Sequence, residues 1–139
     1  NTEFGGVLGL SQLPRLDSII KRRREVCDRF YDLLTDYWDM FELPDFEGNS
    51  SFCLPFILKD RGQRIDFQEY IESKGIETRP LCSGNLLRQP FLSEFEPFKE
   101  FPKVDHLHYH GFFIGNNHSI TDDDIKRLEV IVDDYFNVL

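Results

Sequence analysis

Residues 111–139 read GFFIGNNHSITDDDIKRLEVIVDDYFNVL, and the pattern of this stretch decides the fold. Gly111 to Gly115 is a short apolar run bounded by turn residues, which predicts a buried strand. Asn116 and Asn117 suit left-handed turn positions, because their short amides bond locally. Thr121 predicts a helix N-cap, with Asp122, Asp123 and Asp124 in the first turn, where negative charge complements the helix dipole. Ile125, Leu128, Val132, Tyr135 and Leu139 keep 3–4 spacing, so the helix has one apolar face. A strand, a turn and an amphipathic helix of this kind need a second layer to bury against.

The second layer lies upstream. Residues 83–103 carry turn signals, aromatics and three prolines, and predict loop with at most a helical turn. Ile76 to Pro80 is a short strand. Gly62 to Lys74 predicts a helix with Ile65 or Phe67 and Ile71 inward, closed by Gly75 as the C′ residue. Phe52 to Leu58 predicts a strand with Phe52, Leu54, Phe56 and Leu58 on one face. Pro55 cannot donate to a ladder, so that strand belongs at an edge or a bulge. Pro44 and Glu47-Gly48-Asn49-Ser50 interrupt the pattern. Before them a long helix is expected from Ser11, which would cap it with Pro14 in the first turn. Its stripe is Leu13, Leu16, Ile20, Cys27, Phe30 and Leu34, and Lys21-Arg22-Arg23-Arg24 mostly faces out. Some two dozen helical residues span about 35 Å, enough to cross the domain. NTEFGGVLGL (1–10) has no decisive period. The order helix, strand, helix, strand, strand, helix predicts an α+β fold: a small, mainly antiparallel sheet packed on helices.

A chain of 139 residues with 40% hydrophobic and 29% charged residues suits one globular domain. Its fourteen Phe promise a core of large flat rings. A net charge of −9 repels phosphate backbones and argues against a nucleic-acid partner. No apolar run is long enough to span a membrane. Cys27, Cys53 and Cys82 lie 26 and 29 residues apart, with no metal-binding spacing and no disulfide framework, so a reduced, cytoplasmic setting is expected. The chain opens at Asn1 and its only Met is Met40, which leads us to expect a fragment or a processed product.

Two segments could carry chemistry. In GIETRPLCSGNLLRQP (75–90), Arg79 ends a strand and precedes a Ser83-Gly84-Asn85 turn, with Arg88 and Gln89 close behind. A guanidinium fork beside a turn where glycine lets the backbone approach a ligand can clamp a phosphate or a sugar. Composition alone favours the plainer alternative, a polar loop that satisfies its own backbone. HLHYHGFFIGNNHS (106–119) contains all four His. On a strand, His106, His108 and His110 would share a face and could bind a zinc-like ion; on a helix, His106 and His110 would still align. The other readings are one core His with the rest solvated, or a His donating to a ligand. Asp122-Asp123-Asp124 and Asp133-Asp134 read as caps and solvated charge. No Ser/His/Asp order, phosphate loop or dinucleotide fingerprint occurs.

The opening NTEFGGVLGLSQLPRLDSIIKRRR resembles the connecting segment of the DegT/DnrJ/EryC1/StrS family of pyridoxal phosphate-dependent sugar aminotransferases and dehydratases. GIETRP followed by SGN and RQP is similar to the substrate-side loop of its 3-dehydratase branch. HYHGFFIGNNHSIT resembles the family's closing strand–turn–helix. The three stretches occur in family order. The resemblance implies a C-terminal small domain of a fold type I enzyme, with residues 1–40 as connecting segment and long helix and 51–139 as the α+β body. It implies pyridoxal or pyridoxamine phosphate held mainly by a large domain outside this chain, a nucleotide-linked 4-keto-6-deoxy sugar as substrate, and a cytoplasmic homodimer in deoxysugar biosynthesis. The catalytic Lys or His would lie in that large domain, so no catalytic residue and no metal ligand is assigned here. The residues expected to face the substrate are Arg79, Ser83, Gly84, Asn85, Arg88, Gln89, His108, His110, Asn116 and His118. The alternatives are an aminotransferase of the same family and a non-catalytic α+β binding module.

Overall fold

The computed structural model describes residues 2–45, 47–92 and 100–137, with Ser83 described by its backbone alone. Helices α1 (Glu3–Gln12) and α2 (Leu16–Asp36) are joined by a 3-10 turn, Leu13–Arg15. Strand β1 (Cys53–Ile57), helix α3 (Arg61–Ser73) and strand β2 (Thr78–Pro80) follow. Three short 3-10 turns (Leu81–Ser83, Leu86–Arg88, Pro90–Leu92) lead on toward helix α4 (Pro102–His110), strand β3 (Gly111–Gly115) and helix α5 (Asp122–Phe136). Strand β3 lies at the centre of the sheet, antiparallel to β1 on one side and β2 on the other. The fold is the α+β arrangement expected, and Pro55 sits in an edge strand.

Pleating sends alternate residues to opposite faces. Leu54, Phe56, Phe112 and Ile114 face a core shared with α2, α3 and α5. Its middle is aromatic: Phe56 stacks on Phe112 at 5.1 Å, and Phe30, Phe41 and Phe67 also meet Phe56. Edge-to-face and offset contacts of this kind add to the burial energy. On α3, Phe67 and Ile71 are buried while Ile65 is exposed. Gly75 follows α3 at φ +82, the left-handed C′ position. Thr121 and Asp124 form a reciprocal capping box at the start of α5. Leu139, expected on that helix, lies outside the described residues.

Several expectations need correction. Ser11 does not start the first helix; it lies inside α1, where its hydroxyl donates to the Leu8 carbonyl at 2.7 Å. Gly5, Gly6 and Gly9 leave α1 without a polar face, so residues 1–10 show no decisive period even though its apolar residues Phe4, Val7 and Leu8 stand at i, i+3 and i+4. None of them is buried, and Phe4 is 81% exposed. The stripe of α2 packs only from Val26 onward. Arg22 does not face out: it donates to the Ile120 carbonyl at 2.7 Å and pairs with Asp122 at 2.9 Å, fastening α2 to the start of α5. Phe52 precedes the bend into β1 and lies exposed against Phe113 instead of joining Leu54 in the core. Residues 102 and 103, expected in the loop, instead open helix α4, which runs on to His110. Pro102 stands in the first turn, where its preset φ and missing N–H suit a helix start.

Candidate functional site

The expected site residues fall into four places. Gly84, Asn85, Arg88 and Gln89 lie on the loop after β2, against His108 of α4. His110 ends α4 where β3 begins. Asn116 and His118 lie beyond the opposite end of β3. Arg79 is on β2, in register with Phe113. The Ser83 side chain lies outside the described residues.

The loop is held from one helix. Asn85 is 6% exposed. Its Nδ2 donates to Oδ1 of Asp105 at 2.8 Å, its Oδ1 accepts the Leu87 N–H at 3.0 Å, and its own backbone N–H donates to Nδ1 of His108 at 3.1 Å. Arg88 closes on the same carboxylate, Nε to Oδ1 at 2.5 Å and Nη2 to Oδ2 at 2.9 Å. This two-point fork is the strong geometry for a guanidinium and a carboxylate. Arg88, then Asn85, holds the Asp105 carboxyl down to about 2, and the pairing raises Arg88. The guanidinium of Arg88 also lies 5.2 Å from the centre of the Tyr109 ring, and that of Arg61 lies 4.2 Å from it. Gly84 passes under the imidazole at φ +67, and a Cβ there would fall 2.0 Å from Nδ1 of His108.

Arg79 is exposed and pairs only locally, with Glu77. An exposed pair of this kind contributes about 0–1 kcal/mol, so an incoming anion can replace it cheaply. Asn116 is 2% exposed and donates to the carbonyls of Arg23 and Ser51, each at 3.0 Å, which ties α2 to the entry of β1. His118 is exposed.

The His run is helical. His106 and His110, one turn apart, stack at 4.1 Å, while His108 turns to the Asn85 loop. His106 Nε2 meets Glu42 Oε1 at 2.7 Å, and His110 Nδ1 meets the Leu58 carbonyl at 2.9 Å. A carbonyl only accepts, so His110 carries its proton on Nδ1. The strand reading that put three His on one face is therefore overturned. Among the described residues no group of three or more His, Cys, Asp or Glu is arranged to hold a metal ion. No described helix is long and apolar enough to cross a membrane.

Asp105 and Tyr109 were missed from sequence. Reading Pro102 as a helix start would have shown them, since Asp105, His108 and Tyr109 at i, i+3 and i+4 share a face.

A family model for the DegT/DnrJ/EryC1/StrS aminotransferases matches residues 2–132. The chain belongs to this family. It is 31% identical over 136 residues to the GDP-4-keto-6-deoxy-D-mannose 3-dehydratase of Escherichia coli O55:H7 (strain CB9615 / EPEC), covering 94% of this chain and 35% of that protein. The solved E. coli GDP-4-keto-6-deoxy-D-mannose-3-dehydratase with bound hydrated PLP superposes with a TM-score of 0.78 at 26% identity, over 91% of this chain and 34% of that one. An aminotransferase from Psychrobacter cryohalolentis matches with a TM-score of 0.81 at 18% identity, covering 94% of this chain and 38% of that one, which shows the fold alone. The DegT-family chain thus spans about a third of the length of these relatives. Its fold is the small α+β domain of a fold type I pyridoxal phosphate enzyme.

The loop after β2 does not offer the backbone cradle that the phosphate of that cofactor needs. A phosphate nest needs outward backbone N–H groups. In the loop those of Gly84, Asn85, Leu87, Arg88 and Gln89 all donate to Leu81, His108, Asn85 or Leu86. What the loop can offer a ligand is side chains held on a rigid frame.

Proposed function

We propose that this chain is the C-terminal small domain (residues 1–139) of a pyridoxal or pyridoxamine phosphate-dependent enzyme that removes the C3 hydroxyl of a nucleotide-linked 4-keto-6-deoxyhexose. The observation that carries this reading is the alignment with the GDP-4-keto-6-deoxy-D-mannose 3-dehydratase across 94% of the chain. In this reading the cofactor lies in a large domain outside the chain and supplies the electron sink for elimination. The small domain supplies the wall that faces the sugar nucleotide.

Arg79 offers a weakly engaged guanidinium to phosphate oxygens, and Arg88 presents a second one from the braced loop. Gly84 lets the chain turn tightly, Asn85 holds the turn, and Ser83 and Gln89 flank it. His108 and His110 stand where α4 meets the sheet, at the junction with the large domain. Asn116 and His118 close the far end of β3. The working enzyme is a cytoplasmic homodimer. The same frame suits an aminotransferase, a reading favoured by the match of residues 2–132 to the aminotransferase family model. Product analysis of the longer enzyme separates the two. A 3-deoxy-4-keto sugar marks the dehydratase, and a 4-amino sugar marks the aminotransferase.

A further inference from the structure

We infer that Asp105 is the positioning residue of the substrate-facing loop, and that Asn85 acts on the loop itself rather than on a ligand. The inference rests on the proposed function for what the loop faces, but its geometry stands independently. Asp105 lies on α4, twenty residues after Asn85 and seventeen after Arg88. Its Oδ1 accepts from both Asn85 Nδ2 and Arg88 Nε, and its Oδ2 accepts from Arg88 Nη2. One carboxylate thereby sets both residues of the loop.

The division of labour follows from what each group has left. Asn85 is buried; its Nδ2, its Oδ1 and its backbone N–H all have protein partners. A ligand could reach its amide only by opening the loop. Arg88 differs: its side chain is 45% exposed, although Asp105 engages Nε and Nη2 and Tyr109 bonds the guanidinium as well. Tyr109 and Asp105, on one face of α4, keep the guanidinium plane in place. The loop is thus a preorganised mount for Arg88, built for an anionic oxygen such as a phosphate of the sugar nucleotide. Preorganisation lowers the ordering cost of binding.

The test is ¹⁵N NMR on the 139-residue chain with Asp105→Ala and Asp105→Asn. Asparagine keeps an Oδ1 acceptor for Asn85 Nδ2 and Arg88 Nε but loses the charged Oδ2. For Asp105→Ala we expect the Asn85 and Leu87 amides to exchange faster by about tenfold or more, as loss of charge-assisted hydrogen bonds implies. The Arg88 Nε–H signal should collapse toward the free value, while the Phe56 and Phe112 amides stay protected. Asp105→Asn should restore Asn85 and Leu87 protection in large part and Arg88 only in part. A purely structural role would move the core amides together with the loop and show no such ordering. Unchanged loop amides in Asp105→Ala, or equal effects of the two variants, would overturn the inference. The substrate reading is judged separately: in the longer enzyme, Arg88→Ala should raise KM for a nucleotide-linked sugar. An unchanged KM removes that reading while leaving the NMR result standing.

Discussion

Nδ1 of His108 accepts the backbone N–H of Asn85 at 3.1 Å, and this contact sets the tautomer of the ring. An imidazole nitrogen that accepts carries no proton, so neutral His108 is protonated on Nε2. Long-range ¹⁵N–¹H spectra should show the Nε2–H form of His108 and the opposite, Nδ1–H, form of His110, which donates to Leu58. Two rings in one tautomer would contradict the arrangement.

Gly84 is the second half of that contact. At φ +67 and ψ −147 it occupies a region open almost only to glycine, and a Cβ would meet the imidazole. Gly84→Ala should destabilise the chain by about 1–3 kcal/mol from backbone strain. It should also displace His108, visible as loss of the Asn85 amide protection. Unchanged thermal stability would show that the turn is not held as described.

Two groups give the chain opposite pH limits. Asp105 is depressed from 3.8 to about 2, chiefly by Arg88 and then Asn85. Its contribution to stability is complete above the ordinary carboxylate value and is lost as pH falls from 3.8 toward about 2. Tyr37 is raised from 10.0 to about 12, by burial first and then by its hydrogen bond to Asp133 at 2.6 Å. Its contribution is complete below 10.0 and is lost as pH rises toward about 12. NMR titration of the Asp105 carboxyl and ultraviolet titration of Tyr37 check both. Ordinary values at either site would refute the corresponding contact.

The three thiols should react in a fixed order. Cys82 is exposed, Cys53 half-buried and Cys27 buried in the core, where burial pushes its thiol up. A disulfide reagent should modify Cys82 first and Cys27 only on unfolding. Native-state labelling of Cys27 at the rate of Cys82 would contradict the core packing.

The legible parts of the fold were those with a strong local signal. Thr121 and three Asp announced α5, Pro55 announced an edge strand, and Gly75 announced the end of α3. The period was masked in α1 because Gly5, Gly6 and Gly9 give no polar face to set against Phe4, Val7 and Leu8. It failed for α4 because His and Tyr carry no clear apolar rhythm. The candidate loop was found from its turn chemistry. Its brace was not, because Asp105 reaches Asn85 across twenty residues of chain and no spacing rule links them.

The wall that this DegT-family domain is proposed to form in a larger enzyme presents Arg79 and Arg88 to the sugar nucleotide. That role is tested most directly by steady-state kinetics of that enzyme with a nucleotide-linked 4-keto-6-deoxyhexose, comparing the natural protein with Arg79→Ala and Arg88→Ala. Loss of one charge-assisted contact predicts a fall in kcat/KM of about tenfold or more for each variant. Turnover by the natural enzyme with both variants unchanged in kcat/KM would contradict it.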